Sequence, residues 1–99
     1  MNEKQIKSDK MIQKIVSILV RHGAIRVSIF GSYARGEAAP GSDIDIIVEF
    51  SQRKSLLEIV GIEQELSETL GRTVDLLTEK AISPYLIERI NRERVVIYG

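Results

Sequence analysis

Apolar residues fall along this chain in two rhythms, and the switches between them mark out its elements. Met11, Ile12, Ile15, Val16 and Leu19 recur every three to four residues, the stripe of a helix buried on one side. They predict a helix over about residues 9–22, with Asp9 ahead of it and Gly23 as its stop. The rhythm then changes to two. Ile25-Arg26-Val27-Ser28-Ile29-Phe30 alternates like a half-buried strand and breaks at Gly31-Ser32. A short helix is expected over 33–37, then a loop over 38–42 punctuated by Pro40 and Gly41. Along 43–50, Ile44, Ile46, Val48 and Phe50 share one face of a second strand, and Asp43 and Asp45 share the other.

Ser55-Leu56-Leu57-Glu58 has the spacing of a capping box, opening a helix that should run to about Leu70 and stop at Gly71. Residues 73–77 form a third strand. Ser83 followed by Pro84 is an N-cap with proline at the first helical position. That helix should turn Leu86, Ile87 and Ile90 inward and end before a closing strand over 95–98. No internal repeat, linker or low-complexity tract interrupts the series. The order α-β-α-β-α-β-α-β predicts one small α/β (α+β) domain over residues 1–99, a mixed sheet with flanking helices.

Ninety-nine residues suit one core and leave no room for a second domain. Fourteen basic and fourteen acidic residues cancel, which argues against a broad phosphate-binding surface and so against stable nucleic-acid binding. Without cysteine there is neither a disulfide framework nor a thiolate metal site, in keeping with a reducing cytoplasm. Charges break every apolar run, so neither a membrane span nor a membrane partner is expected, and residues 1–10 do not read as a signal peptide. A cytoplasmic location is the resulting expectation.

The chemistry concentrates in two stretches, Gly31-Ser32-Tyr33-Ala34-Arg35-Gly36 and Ser42-Asp43-Ile44-Asp45. Residues two apart on a strand point the same way, about 6.5–7 Å apart, so Asp43 and Asp45 can aim carboxylates at one place. Mg²⁺ takes such oxygen ligands, one or two carboxylates completed by phosphate and water. If the third strand lies parallel beside the second, as a helical crossover requires, Asp75 joins the cluster. Gly31 and Ser32 end a strand ahead of a helix, where backbone and hydroxyl can meet phosphate oxygens, and Arg35 lies one turn on. Taken singly, each feature has a plain structural explanation: paired strand acids are usually just solvated, and Gly-Ser is ordinary turn chemistry. Arg35 either binds phosphate or orients an aspartate. His22 fits a helix C-terminus favoured by the macrodipole. Glu49 is expected to be structural, Tyr33 and Tyr98 to pack at the domain edge, and Arg89, Arg92 and Arg94 to form a solvated face, with a partner surface as the alternative.

Joined, these residues resemble the DNA polymerase β nucleotidyltransferase superfamily, whose signature is Gly-Ser, ten residues, then Asp-x-Asp or Asp-x-Glu. Ser32 and Asp43 are separated by that gap, Tyr33 through Ser42. Gly-Ser-x-Ala-Arg-Gly with Ser-Asp-x-Asp after it is similar to the minimal nucleotidyltransferase (MNT) family in particular. The resemblance implies that Gly31 and Ser32 hold the triphosphate of ATP, that Asp43 and Asp45 ligate Mg²⁺ (two ions), and that Asp75 is the third carboxylate, acting on the attacking hydroxyl. It also implies a partner of the HEPN family, an all-α ribonuclease toxin, and transfer of AMP to one of its tyrosines by this chain as antitoxin. Two other readings stay open here: a non-catalytic binding antitoxin, and transfer to a small molecule or RNA with a partner chain.

Overall fold

The first apolar stripe folds into helix α1, Lys10–Arg21, with Ile12, Ile15, Ile18 and Leu19 buried. The structure, a computed structural model, describes residues 10–36 and 42–99; Asp9, Glu37 and most of the predicted 38–42 loop lie outside them. Strand β1, Ala24–Phe30, comes next, then the four-residue helix α2, Ser32–Arg35. Helix α2 stops at Arg35 rather than reaching 37 because Gly36 takes the left-handed conformation (φ 72°, ψ 20°). Strand β2 is Ile44–Phe50 and helix α3 Leu56–Leu70. The capping box forms: the Glu58 amide donates to Ser55 Oγ at 3.2 Å and the Ser55 amide to Glu58 Oε1 at 3.3 Å. Strand β3, Val74–Thr78, leads through a 3₁₀ turn, Glu79–Ala81, to helix α4, Pro84–Glu93, and strand β4, Val95–Tyr98. Thr73 falls just before β3, although its carbonyl already accepts the Ile44 amide at 3.0 Å.

The strands make one sheet in the order β3-β2-β1-β4. β2 and β3 are parallel, as the crossover through α3 requires, and β1 pairs antiparallel with both β2 and β4. On the inner face, Val27, Ile29, Ile44, Ile46, Val48, Val74, Leu76 and Ile97 pack with the α1 stripe and with Ile62 and Leu66 of α3. Burying each such side chain contributes about 1.5–3 kcal/mol. α3 also covers the outer edge of the sheet at β3. Ser67 Oγ accepts the Val74 amide at 3.2 Å, and Glu63 Oε2 accepts the Leu76 amide at 2.8 Å.

The outer face is covered far less. Ser28, Ile47 and Ile90 are buried there outside the main core, and Arg94 at the end of α4 donates to Ser28 Oγ at 3.2 Å, which seats that end over β1. α4 otherwise lies loosely. Of the three residues expected inward, Ile90 is buried and Leu86 is exposed. Arg94 departs from the expected solvated face. Its side chain is only 5% exposed and pairs with Glu79, so it serves as a polar pin between α4 and the 3₁₀ turn. His22 lies at the C-terminal end of α1 as expected, and its Nε2 also meets Glu65 Oε1 of α3 at 2.9 Å.

Candidate functional site

Two ladders bring three separate pieces of sequence together. In the antiparallel ladder Phe30 stands opposite Asp45, so the end of β1, with Gly31 and Ser32 beyond it, meets the start of β2. In the parallel ladder Asp45 stands beside Asp75. The alternation that buries Ile44, Ile46, Val74 and Leu76 turns Asp45 and Asp75 to the outer face. Asp43, just ahead of β2, is close enough for its charge to act on Asp45. Gly31 touches this group. Its φ of 73° and ψ of −149° belong to glycine territory, and a Cβ at that position would lie 2.5 Å from Asp45 Oδ2. The carboxylate thus occupies the space that any larger residue would fill.

The Asp45 carboxyl is pushed above the ordinary carboxylate range. Burial is the chief cause, then the charge of Asp75 and a hydrogen bond with it, then the charge of Asp43; Arg35 acts in the opposite direction. The crowding of negative charge that raises the Asp45 carboxyl is what a bound cation would relieve. Among the described residues no three acidic or histidine side chains already form a closed cage. Two carboxylates in contact with a third close by, all hard oxygen donors that repel one another when ionised, nevertheless fit a Mg²⁺ site whose remaining ligands come from phosphate and water.

The raised Asp45 carboxyl affects stability. Asp45 binds its proton more tightly folded than unfolded, so the stability this adds is present at acid pH. It is lost as pH climbs from the ordinary carboxylate range through the raised folded value. At neutral pH without divalent cation, Asp45→Asn should raise the melting temperature by a few degrees, ~4 °C for a domain this small. Mg²⁺ with ATP should raise that of the parent and leave the variant's unchanged. A scanning-fluorimetry series with and without Mg²⁺ and ATP decides it; an equal ligand shift in both proteins counts against Asp45 as a metal ligand.

Arg35 projects from α2 toward the end of α4, where Nη1 lies 3.5 Å from Glu93 Oε2, and it is close enough to Asp45 to favour the ionised carboxylate. Arg72 belongs to no motif of the sequence, yet it bridges the site. It donates to the Tyr33 hydroxyl and, from Nη2, to the Ser42 carbonyl at 2.9 Å, with its guanidinium 5.1 Å from the centre of the Tyr33 ring. One side chain therefore ties α2 to the residue ahead of Asp43, across the ends of the 37–41 segment. The parallel register contained the signal, since residues just before β3 must lie alongside those just before β2. Tyr33 packs on the core, its hydroxyl 3.8 Å from Met11 Sδ.

The model of the nucleotidyltransferase domain family matches residues 5–97. A candidate protein adenylyltransferase of Methanocaldococcus jannaschii is 52% identical over 95 residues, covering 96% of this chain and 97% of the relative. Protein adenylyltransferase MntA of Thermococcus cleftensis is 35% identical over 94 residues, covering 87% and 95%. Among solved structures, a toxin–antitoxin crystal structure with AMP-PNP superposes with a TM-score of 0.81 at 26% identity, over 88% of this chain and 72% of that one. The four-stranded sheet, the Gly-Ser turn against the aspartates and this kinship lead to one conclusion: the chain belongs to the nucleotidyltransferase domain family and is a nucleotidyltransferase, of the group whose curated members are named protein adenylyltransferases.

Proposed function

We propose that this chain is an antitoxin that transfers AMP from ATP to a tyrosine of a HEPN ribonuclease toxin, in the cytoplasm and with Mg²⁺. The observation that carries the reading is the Asp45–Asp75 pair set against Gly31 on an open sheet face. The resemblance to a toxin–antitoxin structure holding AMP-PNP supports both the donor and the kind of partner. Asp43 and Asp45, with Asp75 at their side, would hold Mg²⁺, which when bound lowers the pKa of the attacking hydroxyl and stabilises the departing pyrophosphate.

The chain's own groups do the rest. The backbone at Gly31 and the Ser32 hydroxyl hold the triphosphate, and Arg35 adds a positive charge beside it. Asp75 accepts the phenolic proton as the tyrosine oxygen bonds to the α-phosphorus. The bond from that phosphorus to the bridging oxygen breaks, and pyrophosphate leaves with the electron pair. A tyrosine, with a pKa of about 10, ionises more readily than serine or a sugar hydroxyl. The added phosphodiester places negative charge and bulk at a site that must accept anionic RNA.

Incubation with ATP, Mg²⁺ and the partner should add the mass of one or more AMP units to a partner tyrosine and silence its ribonuclease activity. Intact-mass spectrometry with peptide mapping reads the result. A fully inhibited but unmodified partner would establish a binding antitoxin instead, and AMP found only on RNA or a small molecule would place the acceptor in another class.

A further inference from the structure

Strand β3 presents Leu77 to the outer face, 40% exposed, although Val74 and Leu76 of the same strand are buried. A single exposed leucine is ordinary. This one stands two residues from Asp75 on the same face, hence about 6.5–7 Å along the strand. That distance matches a phenol whose oxygen is at Asp75 and whose ring extends along the sheet. Ile47, the register partner of Leu77, is only 1% exposed, so of this pair Leu77 alone offers apolar surface beside Asp75. Immediately beyond, a cavity of about 380 Å³ opens at Glu49 and Thr78, the next outward residue of β2 and the last of β3. It gives the acceptor's main chain room to approach.

We propose that Leu77 is the shelf on which the ring of the acceptor tyrosine lies while its hydroxyl is presented to Asp75. The proposal rests on the adenylyltransferase reading above and adds to it the basis of acceptor choice. A serine or ribose hydroxyl reaching Asp75 would leave Leu77 bare, whereas a phenol covers it. The shelf is a positioning device: it fixes the angle at which the oxygen faces the α-phosphorus and takes no part in bond making.

The test uses the full chain with ATP, Mg²⁺ and the tyrosine-bearing partner, comparing the parent with Leu77→Ser and Leu77→Met. Leu77→Ser should lower kcat/KM for the protein acceptor by about 10–100-fold, the range for one lost apolar contact in a specificity pocket. The KM for ATP and the affinity for the partner should stay within about twofold, and Leu77→Met should recover most of the loss, as removal of transition-state positioning predicts. Unchanged transfer by Leu77→Ser overturns the shelf. So does a parallel loss of partner binding, which would make Leu77 a general docking contact. If the parent itself adds no AMP to the partner's tyrosine, the adenylyltransferase reading fails and the shelf fails with it. That outcome is separate from the two in which the parent is active.

Discussion

Gly31→Ala should reduce AMP transfer by about 10²-fold or more, the scale of loss expected when reacting groups are displaced by ~1 Å. Two independent features of the same residue set this size. Its φ of 73° with ψ −149° is strained for any residue with a side chain, at a cost of about 1–3 kcal/mol. The new methyl would also lie 2.5 Å from Asp45 Oδ2, so either the Gly-Ser turn or the carboxylate must move. Gly71→Ala is the control. Gly71 also has positive φ, 65°, but a Cβ there meets nothing within 4 Å. That variant should lose about 1 kcal/mol of stability and keep its activity. Denaturant melts and single-turnover transfer on both proteins separate the two effects. Parent-like transfer by Gly31→Ala would show that close approach at Gly31 has no part in the chemistry.

Asp75→Asn should separate chemistry from binding. As the proposed acceptor of the phenolic proton, Asp75 is expected to contribute about 10²–10⁴-fold to the rate. Asparagine keeps the shape and a hydrogen bond toward Asp45 while removing both the charge and the basicity. ATP affinity should therefore stay within about threefold, or improve where the repulsion on Asp45 is relieved, while turnover collapses. Asp43→Asn should lose both if Asp43 is the proposed metal ligand, which would serve binding and reaction alike. ATP titration beside single-turnover kinetics reads the pattern. Transfer by Asp75→Asn at the parent's rate would reduce Asp75 to a surface acid.

Much of this architecture is legible in residue order. The period-two and period-four runs place the helices and strands, since each is long enough to bury a full apolar side. The crossover through α3 implies the parallel pairing that sets Asp75 beside Asp45. Less legible are contacts whose partners are distant in sequence and polar. The Arg72 bridge to Tyr33 and Ser42 and the burial of Arg94 against Glu79 and Ser28 leave no periodic trace, and an arginine reads as solvated unless its neighbours are known. The end of α2 at Gly36 escapes the sequence for a local reason: one left-handed glycine outweighs the helix propensity of Glu37 beyond it. Leu86 misleads and Leu77 is silent because an apolar side chain on a half-covered face has the same pattern as one in a core.

The covering of β3 by α3 limits how any partner can engage this protein. Ser67 and Glu63 occupy the amides of Val74 and Leu76, the outward donors that an incoming strand would need. β-augmentation along that margin, a common way of capturing an extended peptide, is therefore closed, and so is edge-to-edge self-association there. Under the proposed function, a partner segment that reaches Asp75 from this side is held by its side chains and not by pairing with β3. Recognition then depends on which residue is presented to Asp75, and backbone pairing, which accepts almost any sequence, has no share in it at this edge.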